Sequence, residues 1–427
     1  MDQAPAYRRR VVDDELDELT GALAAVAIEG AKAVGKTSSA LERSRSVFAL
    51  DDPGRRAIAE ADPDRLLAAP PPVLIDEWQY VPPLWDRVRR AVDAGAPAGS
   101  FMLTGSASPA GAGTHSRGGR IASVRMRPLS LAERLDEPPT VSLGDLLAGK
   151  RPPVSGRTAT RLADYTEEIL RSGFPGIRDL PGRALRAQLD AYLARIVDRD
   201  FAELGHELRN PATLRRWMAA YAASTSTTTS FEKIRDAAAG GQELKPARST
   251  VLPYRDVLAR LFVLDEVPAW RPSRSPIGVL GRPPKHHLAD PALAARLLGA
   301  TSGALLGGES PGPAIARDGT LLGALFESLV TLSVRVYAQA AEARVGHLRT
   351  HRGDHEVDLI VERGDGRVLA IEVKLAAVPD DDAVRHLAWL RERIGDDLLD
   401  AVVITTGGEA YRRSDGVAVV PAALLGP

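Results

Sequence analysis

The chain reads as α/β in three parts: an N-terminal parallel sheet with helices, a helical middle, and a C-terminal α/β domain. Three observations predict this. Over the first 135 residues short apolar runs alternate with helical patterns, the order of a parallel sheet whose strands are buried on both faces. From 161 to about 300 apolar residues recur at three and four spacing, the period of amphipathic helices. Beyond residue 320 one strong helix precedes several alternating or apolar runs with another helix among them. A length of 427 residues fits two to four folded units at about 150 residues each. The expected domains are 1–150, 151–310 and 311–427, divided by Pro-, Gly- and Ser-rich stretches at 136–160 and 301–319.

In the first part LAAVAIEG (23–30), SVFALDD (46–52), PVLIDE (72–77) and SFMLTGS (100–106) read as strands. In the second, STSTTTS (224–230) breaks the helical pattern and ends on an N-cap-like Ser before FEKIRDAAA. A Gly-Gly turn, a longer helix over 246–262 and an extended stretch with Trp270 follow, an order shared by winged helices and by three-helix packing with no DNA role. In the third, TLLGALFESLVTLSVRVYAQAA reads as a helix, HLRTHR, EVDLIVER, RVLAIEVKL and AVVITTG as strands, and 380–395 as a helix.

Composition excludes several classes. With no cysteine there are no disulfides, thiolate zinc sites, iron–sulfur clusters or Cys nucleophiles. A net charge of −1 excludes a chain coated with positive charge. No leader-like N-terminus and no uninterrupted apolar run of about eighteen residues is read, so a soluble cytoplasmic protein without a membrane partner is expected. Only seven lysines stand against 48 arginines, so each lysine invites separate inspection.

Gly30-Ala31-Lys32-Ala33-Val34-Gly35-Lys36-Thr37 follows a strand, opens a helix and satisfies G-x-x-x-x-G-K-[ST]. The glycines let backbone N–H groups surround phosphates, Lys36 reaches the β- and γ-phosphates, and the Thr37 hydroxyl ligates Mg²⁺. The run through Ser38 is assigned to nucleotide binding. Asp76 and Glu77 end an apolar strand, and ligands bind at the carboxyl ends of parallel strands, so Asp76 is expected in the Mg²⁺ shell and Glu77 as activator of the attacking water. Thr104-Gly105-Ser106 ends the next strand, where Ser106 could sit between Glu77 and the γ-phosphate. Arg117 and Arg120 are candidates for neutralising γ-phosphate charge, within the chain or across a subunit interface, and Arg120 is carried as the catalytic one.

Near the C-terminus Asp358 precedes Glu372-Val373-Lys374 at the Asp…Glu-x-Lys spacing of nucleases that use Mg²⁺. Strand alternation puts Glu372 and Lys374 on one face, and Glu327 from the preceding helix could converge with them, giving a candidate second divalent-metal site. His347 and His351 lack metal geometry, and His286-His287 in PPKHHLAD reads as structural. Lys245, Arg248, Arg255 and Arg260 on the helix at 246–262 are candidate DNA phosphate contacts.

GAKAVGKT, Leu50-Asp51-Asp52-Pro53, VLIDEWQYVPPLWDRVRRAVD, FMLTGSAS and GRIASVRMRPLSLAER together resemble the prokaryotic AAA-type ATPases that carry a C-terminal nuclease-like domain of unknown function. The resemblance continues through SGFPGI (172–177), PPKHHLADPALAARLLG, GALFESLV and the EVDLIV…AIEVK pair, from about residue 8 to 405. It implies ATP binding with slow hydrolysis, a winged-helix-like middle, a restriction-endonuclease-like C-terminal fold and a homo-oligomer. Ala33, where Gln is common, and Ser38-Ser39 depart from the family pattern without removing a phosphate or metal contact. Three readings stay open: an ATPase coupling nucleotide state to the following domains near DNA, an ATP-regulated metal-dependent DNA nuclease, and a nucleotide-controlled DNA- or protein-binding scaffold.

Overall fold

The computed structural model describes residues 7–106, 119–206, 208, 210–239, 248–271, 282–309, 311–313, 315, 319–350 and 353–427. Arg117, Lys245 and His351 lie outside them, as does the side chain of Arg248. Two compact units form, one from the residues up to Pro128 with Arg260–Val263, the other from Leu129–Ala259 and Leu264–Pro427.

In the first unit the elements run α1 (Val12–Ala22), β1 (Ala25–Glu29), α2 (Lys36–Leu41), β2 (Ser46–Ala49), α3 (Pro53–Ala61), α4 (Pro63–Leu67), β3 (Val73–Asp76), α5 (Pro83–Asp93), β4 (Phe101–Gly105) and β5 (Ala122–Arg125). All five strands are parallel in the order β2-β3-β4-β1-β5. The four strands read from sequence are present, and β1, β3 and β4 are apolar runs buried on both faces. β5 escaped the reading because ASVR is a partly exposed edge strand with no apolar run. Helix α3 starts where the LDDP segment dictates: the Asp52 carboxylate accepts from the Arg55 N–H at 2.8 Å, and Pro53 needs no donor partner in the first turn. Strand β4 lies between β1 and β3. Side chains at its carboxyl end therefore stand between the loop after β1 and the residues after β3.

The second unit opens with α6 (Leu131–Arg134), β6 (Val141–Ser142), α7 (Leu143–Leu147) and β7 (Gly156–Arg157). The Pro- and Gly-rich stretch read as a linker thus carries structure: β6 pairs with the last strand of the chain and β7 with a late hairpin. Then come α8 (Leu162–Arg171), α9 (Pro175–Arg178), α10 (Gly182–Arg195), α11 (Phe201–Glu203), α12 (Pro211–Ala223), α13 (Phe231–Ala238), α14 (Arg248–Arg260), α15 (Pro291–Leu297) and α16 (Ser302–Leu306). Ser230 caps α13 by accepting from the Lys233 N–H, as its position suggested. After α14, Leu264 and Val267 bridge antiparallel to Leu288 and Lys285.

The remaining elements are α17 (Leu321–Ala340), β8 (Arg344–Arg349), β9 (Glu356–Glu362), β10 (Val368–Val373), α18 (Arg385–Ile394), β11 (Leu398–Thr405), β12 (Glu409–Arg412), β13 (Ala418–Pro421) and β14 (Leu425–Gly426). The larger sheet runs β7-β12-β13-β11-β10-β9-β8, with β10, β11 and β13 parallel. Leu387 and Leu390 of α18 pack on Ile360, Ala370, Ala401 and Val403 of that sheet. Among the described residues α17 is the one helix long and apolar enough to cross a membrane, and 83% of its apolar window is buried inside the protein, as in a core helix.

Candidate functional sites

The first site is the carboxyl edge of the parallel sheet. Gly30 leaves β1 so close to the Met126 carbonyl that a Cβ there would lie 2.2 Å from the oxygen. Gly35 takes φ 102°, the left-handed conformation that glycine tolerates, and turns the chain into α2. Ala33 also has positive φ, at 66°, which an L residue adopts only under constraint. Part of that constraint is Arg10, whose buried guanidinium donates to the Val34 carbonyl at 2.9 Å and the Arg127 carbonyl at 3.0 Å. Arg10 was not legible as a loop brace, since it sits in a bare RRR run.

Lys36 is buried and donates to the carbonyls of Gly30 and Ala31, each at 2.9 Å. Burial lowers its pKa to about 8, with the carboxylates of Glu77 and Asp76 opposing. The Thr37 hydroxyl donates to Asp76 Oδ1 at 2.8 Å, and Thr104 donates to the same oxygen. Burial raises the Asp76 carboxyl above its ordinary value, opposed by those two hydroxyls.

Glu77 follows Asp76 in the left-handed region, φ 54° and ψ 48°. Ser106 donates to its two carboxylate oxygens at 2.9 Å, Gln79 donates to Oε2, and the Glu77 N–H donates to the Thr104 hydroxyl. The hydroxyl expected beside Glu77 is therefore there, joined by Gln79, which no motif marked. Lys32 is half-buried in the loop, whereas Ala33 and Ser38 are exposed. Arg120 is half-exposed and pairs with Asp93 of α5, an intramolecular partner that its reading as a phosphate-facing arginine did not anticipate.

The loop, Lys36, and the Thr37–Asp76 pair fit ATP with Mg²⁺. Backbone N–H groups from Ala31 to Ser38 and Lys36 would hold the phosphates, and Thr37 and Asp76 offer the hard oxygen donors a magnesium ion takes. The ion would supply charge neutralisation at the phosphoryl oxygens.

The second site is a cavity of about 1320 Å³ inside the second unit. One wall is the hydroxyl-rich run Thr225–Ser230, read from sequence only as a helix break. The lining also carries Glu327, Glu356, Asp358, Glu372 and Lys374. The expected residues do converge: Lys374 Nζ donates to Glu372 Oε1 at 2.9 Å, and the Val373 N–H donates to Asp358 Oδ2 at 2.9 Å.

Buried among these carboxylates, however, is Lys285, which the sequence reading left unassigned within PPKHHLAD. Its ammonium donates to Glu327 Oε1 and Asp358 Oδ1, both at 2.9 Å, and lies 3.3 Å from Glu356 Oε1. The second divalent metal expected from the sequence finds no support here: among the described residues no group of three or more His, Asp or Glu is placed to hold a metal ion. An ammonium stands among the carboxylates instead.

Burial lowers the Lys285 pKa, but Asp358, Glu327 and Glu356 outweigh it and hold it well above the lysine value. Burial beside Asp358 pushes Glu327 and Glu372 each up to about 8. Burial also works against the Asp358 charge, yet Lys285, Lys374 and the Val373 N–H bring its carboxyl below the ordinary value. His347 is driven down to about 3 by burial and by Lys285, so it is neutral. His286 Nε2 is 2.7 Å from the Thr229 carbonyl, between the rings of Tyr221 and Phe231.

Of the candidate DNA contacts, Arg255 stacks over the Phe231 ring at 4.2 Å and pairs with Glu266, so its charge is already engaged inside the protein.

Three family models match separate stretches: an AAA domain over residues 23–135, a domain of unknown function (DUF8612) over 162–304, and another (DUF4143) over 322–425. The first agrees with the loop and sheet order above, so the N-terminal part is similar to an AAA domain in sequence and carries the loop and parallel sheet of a P-loop fold. The other two descriptions name no activity. An uncharacterized protein of Mycobacterium tuberculosis, Rv2008c, is 27% identical over 355 residues, covering 82% of this chain and 68% of that protein. The uncharacterized protein Mb2031c of Mycobacterium bovis matches to the same extent. Among solved structures, the Walker-type ATPase PABY2304 of Pyrococcus abyssi is similar at 16% identity and TM-score 0.39, over 69% of this chain and 99% of that one.

Proposed function

We propose that the chain hydrolyses ATP to ADP and phosphate with Mg²⁺ and uses the nucleotide state to control its second unit. The observation that carries this reading is the pairing of Thr37 with Asp76 at 2.8 Å beside a Glu77 carboxylate fixed by Ser106 and Gln79. Lys36 and the loop N–H groups bind and orient the phosphates. Glu77 accepts the proton of the attacking water as its oxygen bonds to the γ-phosphorus and the bond to the β–γ bridging oxygen breaks, releasing ADP. Arg120 is the arginine proposed to neutralise γ-phosphate charge, and self-association in ATP is the accompanying expectation from the family resemblance. DNA is the proposed partner, on the order α12, α13, α14 with antiparallel bridges after it, an order that winged helices share with three-helix packing.

Phosphate release by the full chain tests this. Lys36→Ala should abolish it, and Glu77→Gln should retain ATP while turnover falls about 10²-fold or more. Wild-type rates in both variants would sink the assignment. The second reading, ATP-regulated metal-dependent DNA cleavage, has the convergence of Glu327, Asp358, Glu372 and Lys374 on one cavity in its favour and the Lys285 ammonium among those carboxylates against it. Incubating plasmid DNA with Mg²⁺ or Mn²⁺, with and without ATP, beside Asp358→Ala and Lys374→Ala, separates it from the first.

A further inference from the structure

We propose that the Lys285 ammonium is the resident cation of the carboxylate cluster in the second unit and stands where a divalent metal ion would otherwise bind. This rests on the geometry of the cluster and not on the ATPase assignment.

Three carboxylates from two elements aim one oxygen each at a single point, Glu327 from α17 and Glu356 and Asp358 from β9, and the Lys285 nitrogen occupies that point at 2.9, 3.3 and 2.9 Å. A compact ammonium can take such a position, whereas a planar guanidinium cannot. In a chain with seven lysines and 48 arginines, the residue here is one of the seven. Lys285 cannot leave easily, because its backbone N–H and C=O both pair with Val267 at 2.9 Å and its side chain is 1% exposed.

A second observation concerns Glu372. Glu372 lines the cavity; its Oε1 accepts from Lys374, while its Oε2 is buried without a hydrogen-bond partner. With Lys285 removed, Glu327, Asp358 and Glu372 would be left around a gap with oxygen donors to spare, which is what a hard divalent cation takes.

The test is a Mn²⁺ titration of the nucleotide-free full chain, followed by the loss of the free-ion paramagnetic resonance signal. The readout is the Mn²⁺ whose binding disappears in Asp358→Asn, which sets aside any ion held at the nucleotide loop. Wild type should bind none in this sense. Lys285→Ala should gain one such Mn²⁺ per chain, and Lys285→Ala/Asp358→Asn should lose it. Asp358-dependent Mn²⁺ on the wild type overturns the proposal, a measurement that stands even where Lys285→Ala does not fold. A folded Lys285→Ala that gains no Mn²⁺ overturns it equally.

Discussion

Lys36 bends back onto the carbonyls of Gly30 and Ala31, and burial has brought its pKa down to about 8. Phosphates arriving at the loop would favour the charged ammonium and restore an ordinary lysine value. Nucleotide binding should therefore take up a proton. At pH 8 the uptake should be roughly half a proton per site, falling to almost none near pH 6.5, where Lys36 is already charged. Calorimetry of nucleotide binding in two buffers of different protonation enthalpy reads this directly, with Lys36→Met as the silent control. An absence of uptake at pH 8 in wild type would mean that Lys36 is not depressed. The same shift has a stability sign. Between about 8 and the unfolded lysine value the unfolded chain binds the proton that the folded one has released, so this group makes stability rise with pH in that window and imposes a constant penalty below it.

Among the elements, the second unit explains three segments that sequence resemblance marked without a reason. Arg134 of the SLAER segment is fully buried and donates to the carbonyls of Leu129 and Glu168 and to Asp290 Oδ2 at 3.2 Å. Asp290 of the HHLAD segment also accepts from the Gly173 N–H at 2.7 Å and caps α15 through the Ala292 N–H at 2.8 Å. Gly173 of SGFPGI leaves no room for a side chain, since a Cβ would lie 2.2 Å from the Arg134 guanidinium. Asp290→Ala strands the buried Arg134 charge and should cost about 3–5 kcal/mol in urea unfolding, while Asp290→Asn, which keeps the acceptor oxygen, should cost less. A loss below about 1 kcal/mol would show that Arg134 finds another partner.

That junction also shows where sequence reading stops. Strands β1, β3 and β4 were legible because continuous apolar runs between helical periods have few other folded forms. Walker-type spacing was legible because the phosphates themselves dictate it. Edge strand β5 and the structured stretch 129–157 were not, because their order comes from partners distant in sequence, as in the pairing of Val141 with Leu425. Lys285 stood out only as one lysine among seven. Its role comes from the bridge to Val267, which no local pattern announces.

At the scale of the molecule, the two compact units carry their titrating groups separately, and thermal unfolding should resolve them. The first unit holds the nucleotide loop, so ATP with Mg²⁺ at about 100 times its Kd should stabilise that transition by about 2.7 kcal/mol and leave the other in place, and Lys36→Ala should remove the shift. The second unit holds Glu327 and Glu372, whose folded values of about 8 lie above those of an unfolded glutamate. A raised carboxyl binds its proton more tightly in the folded state, so its contribution is complete below the unfolded value and is lost as pH rises through the folded one. The second transition should therefore move down between about pH 5 and 8, and Glu372→Gln, which cannot ionise, should flatten the fall. Calorimetric scans at pH 5, 6.5 and 8, with and without nucleotide, read both shifts at once. A single transition that moves with ATP and with pH together would show instead that the two units unfold as one cooperative body.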